Sequence, residues 1–155
     1  MRSFRTDYKS FEVELKDEII TVLENEFNDF FEWENLSSDD VNCATDFKSF
    51  IAGTTIGARF RSYKYYSRYP TDFTIRYDRP SGRKSEYQKI MSGCMGYLLY
   101  GFVKNNKIIR YNIFDMEVFR KIKHMPKDII SNYDGSSKFF VFSIKQFPQN
   151  LTYSR

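Results

Sequence analysis

Apolar residues recur at every fourth position from Phe11 through Leu15, Ile19 and Leu23 to Phe27, and from Val41 onward the spacing drops to two. No one kind of regular structure accommodates both periods. A repeat near four follows one face of a helix, whereas alternation follows the two faces of a strand. The chain therefore joins a long amphipathic helix to a sheet, and the fold class is α+β. Its 16 Phe and 12 Tyr strengthen the sheet reading, because aromatic side chains suit a pleated, half-buried surface.

The first helix is expected over residues 11–30, with Ile20, Val22 and Phe30 widening its stripe and Ser10 as its cap. Glu12 and Glu14 suit the positive end of the helix dipole. Glu24 and Glu26 stand near the negative end, where an acid gains nothing, and that placement points to another use. Residues 34–40 read as an acidic loop, and strands follow over 45–51, 56–66 and 72–77. In the second of these, Ile56, Ala58 and Phe60 face the core while Arg59, Arg61, Tyr63 and Tyr65 share the opposite face.

Arg79-Pro80-Ser81-Gly82 is a turn, and Ser85 with Gln88 makes a capping box that opens a second helix, ended by Gly96. Strands over 97–103 and 107–114 flank Asn105-Asn106 and read as a tight hairpin. Asp115 caps a short helix to about Lys123, and 138–144 is the last strand. The expected order is α-β-β-β-α-β-β-α-β, a mixed central sheet flanked by helices. It forms a single domain over residues 1–155, with a tail from about residue 146.

Several function classes fall away. No apolar run approaches the roughly 20 residues of a membrane-spanning helix. Cys43 and Cys94 match no zinc or disulfide spacing and read as free thiols in a reducing, cytoplasmic compartment. His124 is the sole histidine and sits at a helix end, where it suits the negative end of the dipole better than a hydrolytic triad. Ser81-Gly82-Arg83-Lys84-Ser85 lacks the glycine spacing of a P-loop.

Charge is unevenly divided. Residues 1–50 carry 13 Asp/Glu against 5 Lys/Arg, and residues 51–155 carry 19 Lys/Arg against 7 Asp/Glu. The densest positive stretch runs from Arg59 to Lys89, with nine Lys/Arg, three acids and interleaved Tyr63, Tyr65, Tyr66, Tyr69 and Tyr77. Arginine offers paired contacts to phosphate, and a tyrosine ring offers a surface on which a base stacks. Arg59, Arg61 and Arg76 project from one sheet face if the second and third strands pair. With Tyr63, Lys64, Arg83 and Lys84 they form the expected nucleic-acid surface.

Carboxylates supply the remaining chemistry. Mg²⁺ takes hard oxygen ligands, commonly one or two protein carboxylates plus substrate phosphate. Asp46 stands mid-strand, where an acid is out of character, Asp72 shares a face with Arg76, and Glu26 closes the first helix. The order helix, three strands, helix, strand over about residues 11–103, with an acid on the first helix and another on an early strand, resembles the PD-(D/E)XK nuclease superfamily. That resemblance implies a restriction-endonuclease-like fold in which Glu26 and Asp46 bind Mg²⁺ and activate water.

The third element of that motif is degenerate. The next strand reads Arg59-Phe60-Arg61, with neither carboxylate nor lysine, leaving Asp72 and Lys64 as the substitutes. The catalytic and metal-binding set on this reading is Glu26, Asp46 and Asp72. The segment from Arg76 to Glu86 is also similar to short phage and prophage proteins, a resemblance that implies phage origin and no particular activity. The expected function is nucleic-acid binding on a nuclease-like frame. The rival is a non-enzymatic protein that blocks a host or defence protein through the acidic stretch 24–40.

Overall fold

The period-four stripe lies on α1, Phe4–Phe27, whose Leu15, Ile19, Val22 and Leu23 are buried. The computed structural model describes residues 4–33, 46–78, 84–121, 126–131, 135, 138–146 and 152–154. Helix α1 begins at Phe4, so Ser10 is an interior residue and not a cap. Nothing from Phe4 to Ser10 is Pro or Gly, and each added residue gains a backbone hydrogen bond. The helix stops early at its other end, where Asn28 takes a left-handed φ of 51° and its N–H donates to Glu24 O. Phe30 consequently leaves the stripe and is exposed.

Strands β1 (Phe31–Trp33), β2 (Phe47–Ser49) and β3 (Thr55–Ser62) form an antiparallel meander. Helix α2, Tyr63–Arg68, follows at once, so the long strand expected to residue 66 ends at Ser62. Tyr65 and Tyr66 both pack against the apolar core, which neighbouring strand residues, pointing to opposite faces, cannot do. Next come β4 (Asp72–Asp78) and α3 (Glu86–Met91), with the capping box of Ser85 and Gln88 fully formed. The hairpin of β5 (Tyr97–Lys104) and β6 (Lys107–Asp115) turns through Asn105 and Asn106, at φ 53° and 58°. The Asp115 carboxylate accepts from the N–H groups of Glu117 and Val118 to start α4, Met116–Lys121.

β7 (Asp128–Ser131), β8 (Lys138–Ser143) and a single turn of 3₁₀-helix (Ile144–Gln146) follow. β9 (Thr152–Ser154) pairs with β6 inside the segment expected to be a tail.

The chain is α+β, with a mixed sheet flanked by helices. Six strands run in the order β1-β2-β3-β5-β6-β9, with β3 and β5 parallel and every other pair antiparallel. The expected pairing of the second and third long strands does not occur. β4 instead joins β8 and β7 in a separate three-stranded sheet. One face of the large sheet packs Ile56, Ala58, Phe60, Leu99 and Ile113 against α1. Its other face packs Leu98, Tyr100, Phe102 and Phe114 against Phe73, Ile75 and Phe142 of the small sheet.

Gly101 sits at the closest approach within the large sheet. A Cβ there would lie 2.7 Å from the Phe60 ring and 2.8 Å from Arg110 O, so only glycine lets that ring lie flat on β5.

Candidate nucleic-acid interface

Arg59 and Arg61 alternate with Ala58 and Phe60 along β3, so the geometry that buries Phe60 under α1 sends both arginines to the other face. The small sheet covers that face. Arg59 is 5% exposed, and its Nη1 donates to Thr74 O at 2.7 Å. Its Nη2 lies 2.8 Å from Glu86 Oε1, and the same carboxylate accepts from Arg76 N at 3.2 Å. Arg61 Nη2 donates to Thr74 Oγ1 at 2.7 Å. The Arg59 and Arg76 guanidinium groups lie 5.8 and 5.3 Å from the centre of the Phe139 ring.

The three arginines thus do meet, but they come from two sheets and meet largely inside the protein. An arginine withdrawn from water demands a fixed counter-charge, and Glu86 at the start of α3 supplies it. Arg59 ties the two sheets together. Of the other expected contacts, Lys84 is exposed just before α3, and Arg83 lies outside the described residues.

The three carboxylates are engaged separately. Glu26 Oε1 accepts from Tyr111 Oη at 2.7 Å, which gives the acid near the negative end of α1 its use: it fastens the helix to β6. Asp46 Oδ2 accepts from Ala58 N at 2.7 Å, closing the start of the β2–β3 hairpin. Asp72 forms an ion pair with Lys127 at 3.1 Å. Among the described residues no three His, Cys, Asp or Glu side chains stand where they could share a metal ion. The donor set expected for Mg²⁺ is therefore not assembled by Glu26, Asp46 and Asp72 as placed.

A second positive cluster does reach the surface, on α2 and the β5–β6 hairpin. Lys104 Nζ stands 4.8 Å from the centre of the Tyr63 ring. The Arg61 guanidinium and Lys64 Nζ stand 5.4 and 5.2 Å from the Tyr65 ring. The Arg110 guanidinium is 5.3 Å from the Tyr66 ring, and its Nη1 donates to Tyr66 Oη at 2.8 Å. Tyr66 also packs on Phe102, which roots the helix in the sheet. Each tyrosine of α2 therefore carries a cation on or beside its ring.

No Asp or Glu occurs from Arg59 to Thr71 or from Lys104 to Tyr111. Lys104 and Lys107 are register partners across the hairpin, a like-charge pairing that costs stability in isolation.

Arg61, Tyr63 and Lys64 are common to the sequence reading and to this cluster; Lys104 and Arg110 are not in that reading. The two lysines flanking Asn105-Asn106 are a visible signal. Arg110 gives none, because its tyrosine lies 44 residues away.

The opposite end of β3 differs in character. Phe30, Phe50 and Ile51 are 65%, 64% and 79% exposed. Asp29 holds them in place: Oδ1 accepts from Phe30 N and Ile51 N, and Oδ2 from Ala52 N. Desolvation works against the Asp29 carboxylate, but the amides of Ala52, Ile51 and Phe30 and the Ser49 side chain outweigh it and hold its pKa below the ordinary carboxylate range.

No described helix is long and apolar enough to cross a membrane. Compared with known proteins, the sequence matches no family model and no curated protein.

Proposed function

We propose that this chain is a cytoplasmic nucleic-acid-binding domain that holds its ligand on α2 and the β5–β6 hairpin, not along the Arg59–Arg76 face. The carrying observation is the surface on which Tyr63, Tyr65 and Tyr66 each have a cationic group 4.8 to 5.4 Å from the ring. Phosphates would meet Lys64, Arg68, Lys104 and Arg110. An anion there also relieves the opposition of Lys104 and Lys107. The α+β frame is in keeping with the nuclease resemblance, but the proposal contains no cleavage step, since Glu26, Asp46 and Asp72 engage separate partners and do not gather at one point.

Binding to labelled DNA and RNA, followed against salt, tests this reading. Neutralising four phosphates gives a log–log slope of roughly −3 to −4, and Lys104→Gln with Arg110→Gln lowers its magnitude by about 2. No retention on any nucleic acid at low salt ends the reading. Incubation with Mg²⁺ or Mn²⁺ is expected to leave DNA and RNA intact. Cleavage that disappears in Asp46→Asn while the fold persists would restore the nuclease reading in its place.

A second reading, docking on a host or defence protein, is favoured by the exposed apolar tip of Phe30, Phe50 and Ile51; residues 34–40 of the acidic stretch lie outside the described residues. A photo-crosslinker at position 51 tests it. Labelling of one defined protein supports docking, and labelling indistinguishable from that at an exposed control position removes it.

A further inference from the structure

Resting on the nucleic-acid reading, we infer that the ligand of the α2 surface is single-stranded, with its bases unpaired and stacked on tyrosine. A duplex hides the faces of its bases and presents a rail of phosphates to the outside. A surface made for that rail needs cations and has no use for exposed rings. The α2 surface interleaves the two. Tyr63 and Tyr69, which bracket the helix, are 37% and 55% exposed.

Spacing supports the same ligand. In a single strand each base plane lies next to its own phosphate, so the complementary surface sets a cation beside each ring. Lys104 at the exposed Tyr63 supplies that unit, and Lys64 and Arg110, beside the half-buried Tyr65 and Tyr66, add cations along the same surface. The platform is also too small for groove reading. Helix α2 has six residues, about 9 Å of axis, and its side chains at Tyr65 and Tyr66 are turned into the core. It can bear a base on each end but cannot line a major groove.

Tyr69 is the decisive residue, because it is the more exposed of the two rings. It can be altered with little effect on the fold. Its backbone N–H donates to Tyr65 O at 2.8 Å, so the position is fixed whatever the side chain.

The experiment uses the full chain and measures fluorescence anisotropy with a mixed-sequence single strand of about 12 nucleotides and with the same sequence as a duplex. Inorganic polyphosphate serves as a polyanion without bases. The single strand is expected to bind at least on the order of ten-fold tighter than the duplex. Tyr69→Ala is expected to weaken single-strand binding on the order of ten-fold. Tyr69→Phe should retain most of it, since the ring is what stacks, and the affinity for polyphosphate itself should be the same for all three proteins. Duplex binding as tight as single-strand binding, or Tyr69→Ala indistinguishable from the parent, overturns the single-strand inference and leaves the nucleic-acid reading standing. Binding of polyphosphate with no preference for either nucleic acid, or no binding at all, removes both.

Discussion

The two faces of the six-stranded sheet are held by different physics. Toward α1 the contact is mainly apolar, with Leu15, Ile19 and Leu23 meeting Ile56, Phe60 and Leu99, and its polar contacts are hydrogen bonds from β6 to Glu18 and Glu26. Toward the small sheet, a core of Phe73, Phe102, Phe114 and Phe142 is accompanied by a guanidinium–carboxylate pair with side chains 6% and 14% exposed. Apolar contact is non-directional and tolerates small shifts of the partners. A buried ion pair holds only while its geometry holds, and it costs heavily when half of it is removed. The first face therefore supplies cohesion, and the second supplies register between the two sheets.

The strongest way to break this comparison is to remove one charge. Arg59→Ala is expected to cost about 3–5 kcal/mol in urea unfolding, because Glu86 stays buried without its partner, whereas Arg59→Met with Glu86→Leu recovers most of that loss. A double variant no more stable than Arg59→Ala would show that charge is not what joins the sheets.

The α1 face should behave additively. Leu23, fully buried, is expected to cost about 2–5 kcal/mol as Leu23→Ala, with no second substitution able to rescue it. A urea midpoint equal to the parent's would place the helix elsewhere.

Gly101 sharpens the contrast from within the sheet. Gly101→Ala sets a methyl group against the Phe60 ring and the Arg110 carbonyl and is expected to cost about 1–3 kcal/mol. Phe60→Leu in the same chain should return part of it. Independent, additive losses would mean the ring is not what the glycine accommodates.

The smallest effect is a dependence on acid confined to the α1 side. The pKa of Asp29 is lowered in the folded state, so its contribution is complete above the unfolded value and is lost as pH falls through the folded one. Urea midpoints at about pH 5 and about pH 3 should diverge less in Asp29→Asn than in the parent. Equal divergence would mean that other carboxylates set the acid limit.

What could be read from the chain beforehand follows the same division. The α1 stripe, the Ser85–Gln88 box, the Asn105-Asn106 turn and the Asp115 cap are local, each settled by residues within a turn or two of one another. The α1 face is an extension of that stripe, and so the core there was legible. The other face depends on β4 meeting β8, with Arg76 opposite Phe139, and on Arg59 meeting Glu86 27 residues on. No periodicity reports such distances. Alternation showed correctly that Arg59 and Arg61 point away from Phe60, but not that a second sheet would cover them. Tyr63 and Lys64 were legible as a basic aromatic segment. The pairing of Lys104 with Tyr63 and of Arg110 with Tyr66 was not, because the hairpin that brings those cations is a tertiary event.

The strand order also sets a timetable for a chain growing from its N-terminus. α1 and the first meander can gather as soon as Ser62 is made, but β3 keeps one edge open until β5 has been synthesised. β4 waits longer still, since among the described strands its sole partner is β8, some sixty residues downstream. Throughout that interval Phe73 and Ile75 lie on a strand with neither edge paired, beside the uncovered Phe102 and Phe114. A nascent chain halted before Lys138 is thus expected to be sticky in a way the folded protein is not, and β8 acts as its seal.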